Sequence, residues 1–114
     1  MSEVPPPLFA EGQVVTVFRS RRREGSDADY GRLAEEMETA ARALPGFVDF
    51  ATFAAEDGER VSLITFASAP AHRSWRDDPR HRQAQEHGRR SFYLSYSVQV
   101  GECTHTSSWV AGPD

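Results

Sequence analysis

Asp57-Gly58, lying between Glu56 and Glu59 and flanked by two apolar runs, fixes the centre of this chain. An Asp-Gly pair in that setting is a strong hairpin signal, because glycine takes the positive φ that a turn matched to strand twist requires. Residues 47–55 and Arg60–Phe66 are therefore read as neighbouring antiparallel strands. Whatever lies before and after must pack on that hairpin.

Upstream, residues 13–21 are rich in β-branched and aromatic side chains (Val14, Val15, Val17, Phe18) and read as the first strand. Asp27 is placed to cap a helix in which Tyr30, Leu33, Met37, Ala40, Ala41 and Leu44 recur every three or four residues, and Pro45-Gly46 ends it. Downstream, Ser68 caps a second helical stretch with Pro70 in its first turn. This stretch breaks at Asp77-Asp78-Pro79 and resumes to about Arg90, with Gly88 near its end. In residues 92–102, alternation puts Phe92, Leu94, Tyr96, Val98 and Val100 on one face and Tyr93, Ser95, Ser97 and Gln99 on the other. The order is βαββαβ. Right-handed crossovers turn it into an α+β, ferredoxin-like antiparallel sheet with both helical segments on one face.

The first three strands carry bulky apolar groups on both faces. Val14 and Phe18 oppose Val15 and Val17, Phe47 and Phe53 oppose Val48 and Phe50, and Val61 and Leu63 oppose Ile64 and Phe66. Helices cover one face, so the other is expected to pack on a second copy in a two-fold homodimer.

A length of 114 residues suits one domain, which on folding buries roughly 65% of the surface its unfolded chain exposes. Residues 1–11, with Pro5-Pro6-Pro7, read as a flexible tail and residues 12–102 as the folded domain. Residues 103–114 form a C-terminal extension, where Trp109 among polar neighbours suggests docking on the dimer partner. No apolar run approaches the ~20 residues that span a bilayer, so the expected setting is the cytoplasm, without a membrane partner. Cys103 is the only cysteine, which excludes an internal disulfide and a multi-thiolate metal site within the chain. The net charge is −4, and the basic cluster Arg19 and Arg21-Arg22-Arg23 is followed at once by Glu24 and Asp27, a poor footing for nucleic acid. All 13 basic residues are arginine and asparagine is absent, a composition expected of a GC-rich bacterial genome. Schiff-base lysine chemistry is thereby excluded.

Trp75, the Asp78-Pro79-Arg80-His81 turn, Gly88-Arg89 and the tyrosines Tyr93 and Tyr96 stand in an order that resembles the antibiotic biosynthesis monooxygenase family. The strand and helix order over residues 13–100 agrees with it. The resemblance implies a dimeric α+β barrel with an apolar pocket between helices and sheet in each subunit. It also implies, for some members, oxygenation of aromatic polyketides in secondary metabolism with neither metal nor flavin, and for others haem degradation. Haem-degrading relatives carry a first-strand asparagine, which this chain lacks. Polyketide-oxygenating relatives use an asparagine near the tryptophan and a tyrosine where His81 stands here.

A cofactor-free oxygenase needs a substrate that becomes its own reductant on losing a proton. The protein must then supply a base, an apolar cavity and donors for the developing oxyanion. His81 is the candidate base because its ordinary pKa lies near neutrality, the alternative being a surface histidine at a helix start. Trp75 is the candidate stacking platform, the alternative being packing. Tyr93, Tyr96, Arg89, Arg90 and Phe66 are the candidate substrate contacts. Parity puts the two tyrosines on opposite faces, so that at most one lines a given pocket. The arginines could instead satisfy carbonyls at the helix end. His72 and His105 have no evident partners, and the spacing of His87 from His81 sets them on different helix faces, so no metal-ligand pattern emerges. Three readings stay open: an oxygenase of aromatic compounds without a bound cofactor, a non-catalytic ligand-binding dimer, and a haem-binding protein.

Overall fold

The Asp57-Gly58 turn stands where the sequence puts it: Gly58 has φ 91°, and the Asp57 carboxylate accepts the Glu59 N–H at 3.0 Å. The computed structural model describes residues 9–25 and 27–112, with backbone alone for Asp27 and Ala28. Its elements are β1 (Val14–Arg22), α1 (Asp27–Arg42), β2 (Phe47–Ala54), β3 (Arg60–Phe66), α2 (Ala69–Arg76), α3 (Pro79–Ser91) and β4 (Tyr93–Glu102). The capping side chain expected at Asp27 and the prolines at positions 5–7 lie outside the described residues.

The strands form one antiparallel sheet in the order β2-β3-β1-β4, the ferredoxin-like arrangement. Helix α1 turns the expected apolar stripe onto the sheet. Tyr30 and Leu33 join Phe92 and Tyr93 in one buried cluster, while Ala40 and Ala41 join Ile64, Phe66 and Trp75 in another. Met37 packs against both clusters. Gly46, at φ 83°, closes the α1–β2 connection; a Cβ there would stand 2.6 Å from the Ala71 Cβ, so only glycine fits.

Two register shifts correct the simple alternation. Between Arg21 and Arg22 the pairing passes from Ser95 to Tyr93, leaving Leu94 as the extra residue, 67% exposed. A bulge reverses parity beyond it. Tyr93 and Tyr96, expected on opposite faces, therefore both pack on Phe18, with ring centroids 5.6 and 5.2 Å away. A second shift, between Phe47 and Asp49, leaves Val48 as the extra residue and brings Phe47 and Phe50 to the same helix-facing cluster. Phe53 remains on the outer side, 60% exposed, so the expected grouping of Phe47 with Phe53 does not hold.

Beside Phe53, the outer face carries Val15, Val17, Val61 and Leu63, joined by the register β2–β3–β1. Residues 103–112 have no regular structure and Trp109 is 82% exposed. Paired backbone bonds between Cys103 and Gly12 and between Cys103 and Gln13 hold the start of this segment beside β1. No helix among the described residues is long and apolar enough to cross a membrane.

Candidate active site

Two helix caps in succession build the site. Ser68 accepts the Ala71 N–H at 3.2 Å to open α2, with Pro70 in the first turn. Two residues after α2 ends, Asp78 opens α3, its Oδ1 accepting from the Arg80 N–H at 2.8 Å and the His81 N–H at 3.4 Å. A side-chain hydrogen bond from Arg80 holds the Asp78 carboxyl below its ordinary pKa, so the cap stays ionised. The short link between the helices folds α3 back so that its first turn faces the last turn of α2.

That turn lays His81 flat on Trp75, with ring centroids 3.9 Å apart and planes 21° from parallel. Trp75 is 3% exposed and rests in turn on Phe66 at 6.1 Å. His81 Nδ1 lies 3.1 Å from the Trp75 carbonyl oxygen. A carbonyl can only accept, so this bond requires the proton on Nδ1 and leaves the Nε2 lone pair as the basic atom. Burial pushes the His81 pKa below its ordinary value, against the opposing pull of the Trp75 and Arg76 carbonyls and Asp78. At neutral pH the ring is thus an uncharged base. His72, one turn before Trp75, is likewise pushed down by burial, reinforced by the charges of Arg76 and Arg73.

These groups border a cleft of about 620 Å³ between the helices and the sheet. Phe18, Ile64, Met37, Trp75 and Tyr93 supply apolar and aromatic surface, a composition suited to a flat organic ligand. Tyr93 is held there by Gly88, where a Cβ would stand 2.5 Å from the ring carbon Cε2. Burial, aided by a hydrogen bond with Tyr30, raises the Tyr93 pKa far above its ordinary value. Its phenol is therefore a hydrogen-bonding group and not a base.

Of the residues picked out from the sequence, the structure brings Trp75, His81 and Tyr93 together at the cleft. The others stand apart from its lining. Phe66 is completely buried beneath Trp75. Tyr96 stacks on Phe18, and its hydroxyl accepts from Arg89 at 2.9 Å. Arg90 is exposed, 3.9 Å from Glu86. His87 meets Phe92 edge-on at 5.0 Å. Among the described residues no group of three or more His, Cys, Asp or Glu side chains could hold a metal ion.

The lining also contains Arg60 and Thr16, which sequence reasoning missed, and His72 and Gln85, to which it assigned no role in a site. Gln85 could have been found one helical turn after His81. Arg60 shares the parity of Ile64 and Phe66 on β3, a signal overlooked because it also reads as the end of a turn.

The family model described as "Antibiotic biosynthesis monooxygenase" matches residues 13–87. The protein YqjZ of Bacillus subtilis (strain 168) is 33% identical over 103 residues, covering 90% of this chain and 85% of its own. Among solved structures, Rv0793 from Mycobacterium tuberculosis superposes with a TM-score of 0.75 at 21% identity, covering 84% of this chain and 99% of its own. SnoaB, a cofactor-independent oxygenase from Streptomyces nogalater, superposes with a TM-score of 0.71 at 17% identity, covering 85% of this chain and 97% of its own. At these identities the two superpositions establish the shared fold.

Proposed function

Because the chain belongs to the antibiotic biosynthesis monooxygenase family, we propose that it is a monooxygenase that uses O₂ on an aromatic, polyketide-type small molecule without a bound cofactor. The observation that carries this reading is the His81 ring, fixed with Nδ1 on the Trp75 carbonyl and Nε2 left basic, beside an apolar cleft. The likeness of fold to SnoaB supports it.

In this reading the substrate lies against Trp75 and surrenders a proton to His81 Nε2. The resulting carbanion or phenolate passes one electron to O₂. The substrate radical and superoxide combine to a peroxide anion, which takes the proton back from His81 and then loses water to leave a new carbonyl. For dithranol, a dihydroxyanthrone, the balance is one substrate and one O₂ giving one dihydroxyanthraquinone and one water. Substrate carbon supplies all the electrons, so no external reductant enters. The apolar walls keep the anion from reprotonation by bulk water.

The working unit in this proposal is a cytoplasmic homodimer joined through the outer sheet face of Val15, Val17, Val61, Leu63 and Phe53. Such an apolar face is an association surface when no helix covers it.

The test is O₂ uptake by chelator-treated protein with dithranol, against His81→Ala and Trp75→Phe. General-base loss predicts a fall of about 10²–10⁴-fold for His81→Ala. Uptake unchanged in both variants would remove the assignment. Saturable binding of dithranol without uptake above the buffer rate would instead establish the ligand-binding reading, which the absence of asparagine favours. A Soret shift on adding hemin would establish haem binding.

A further inference from the structure

The floor of the cleft is polar where its walls are not. Along the helix-facing side of β1 and β3 the cross-strand pairs run Ser20–Arg60, Phe18–Ser62, Thr16–Ile64 and Val14–Phe66. Thr16, 8% exposed, has a hydroxyl buried without a hydrogen-bond partner among the described residues. Ser62 and Thr52 hydroxyls pair with each other at 3.0 Å. At the far end, Arg60 lines the cleft with its Nε buried and also lacking a partner among the described residues. Its guanidinium carbon lies 5.6 Å from the centre of the Tyr30 ring.

A guanidinium carries no acceptor and cannot lose its proton at any ordinary pH, so a buried, unbonded N–H on it is a strong unmet demand for an anion. The acids nearest the cleft do not meet it. Glu38 is engaged by Arg42 at 2.8 Å, Glu35 is exposed, and no ion pair among the described residues includes Arg60. Asp77 and Asp78, at the other end, are bound to Arg76, Arg82 and Arg80.

Position gives the demand a direction. Trp75 and His81 stand over the Phe66 end of β3, and Arg60 begins the same strand. Six residue steps of extended strand separate the two Cα atoms by about 20 Å. Arg60, Trp75 and His81 all line the cleft over that interval. What remains suits a fused ring system of two or three rings ending in an acid group, with Thr16 meeting an oxygen midway.

We propose that Arg60 forms a carboxylate-binding subsite at the Tyr30 end of the cleft, so that the substrate is an aromatic carboxylic acid oriented with its acid on Arg60 and its reacting carbon at His81. This rests on the reading of the cleft as an aromatic-substrate site and adds the substrate's acid group and its orientation. Arg22 also lies at that end, 4.6 Å from the centre of the same Tyr30 ring.

The test is calorimetric binding of anthraquinone-2-carboxylate and of anthraquinone-2-carboxamide, a rigid three-ring pair that differs in charge and cannot be oxygenated as a substrate would be. The wild-type protein is expected to bind the acid at least about tenfold more tightly than the amide, as one charge-assisted, two-pronged contact implies. Arg60→Gln is expected to bring the acid down to the amide while leaving the amide unchanged. Arg60→Lys, which keeps the charge and loses the fork, is expected to retain part of the preference. Both variants are checked for native melting, and either one that folds is sufficient, since a merely structural role would weaken acid and amide alike. Equal affinities in the wild type, an acid preference that survives Arg60→Gln, or failure of both probes to bind would overturn the proposal. An Arg60-dependent preference in a protein that never consumes O₂ would leave the subsite standing while removing the oxygenase.

Discussion

His81 lies flat on Trp75 and donates its Nδ1 proton to the carbonyl of that same residue, 3.1 Å away. One residue thus fixes the ring's plane, its rotation and its tautomer together. Three consequences for activity and stability follow from this pairing and its setting, and a fourth from the sheet behind it.

The pH profile of oxygenation should rise through a pKa below the ordinary histidine value of about 6.5 and stay level above it. The sign follows from the cause: burial depresses the pKa, and the neutral ring is the active base. Initial O₂ uptake measured from pH 4.5 to 8.5 checks this. A rise only above pH 7 would assign the base to another group.

Stability should depend on pH in the same direction. His72 and His81 both have folded-state pKa values pushed below their unfolded ones, mainly by burial. Their contribution is therefore present above about pH 6.5 and falls away as pH drops through the folded-state values, because the unfolded chain binds more protons there. Urea midpoints across that range should decline on acidification, and less steeply in His81→Gln.

Gly88→Ala separates packing from helix propensity. Propensity alone favours alanine inside a helix by about 1 kcal/mol. The added Cβ would stand 2.5 Å from the Tyr93 ring, in a buried cluster that includes Tyr30 and Phe92. Overpacking of this kind destabilises by about 1–3 kcal/mol, so the melting temperature should fall and dithranol binding weaken. A raised melting temperature would mean that the Tyr93 ring moves aside freely.

Leu63→Glu should convert the proposed dimer to a folded monomer. Leu63 pairs with Val17 and Ala51 on the sheet face without helices, so the charge enters a surface and not the interior cluster. Light scattering at micromolar concentration reads the mass directly. A wild-type protein already monomeric there would contradict the dimer.

Most of the fold was legible because local chemistry and pattern agree. The Asp57-Gly58 turn, the Ser68 cap, the break at Asp77-Asp78-Pro79 and the Tyr30–Leu33–Met37–Ala41 stripe each act within a few residues of themselves. Parity failed at Leu94 and Val48, since a bulge is set by how two strands register and leaves no mark in the alternation of one. That error separated Tyr93 from Tyr96 and misplaced Phe47. In the site, Trp75 and His81 were legible from their residue types and the proline turn between them. Arg60 was not, because an arginine after a turn looks like solvated surface until the α1 helix is laid over it.

The account's central claim is that the Trp75–His81 end of the cleft inserts an oxygen atom from O₂ into an aromatic substrate, with His81 as the base. The measurement closest to it follows ¹⁸O₂ into dithranol in chelator-treated protein, rate-corrected for spontaneous oxidation. The account predicts one ¹⁸O atom per quinone, formed faster than in buffer and at the buffer rate in His81→Ala. Label entering the wild-type reaction no faster than in buffer, or as fast in His81→Ala as in wild type, would contradict it.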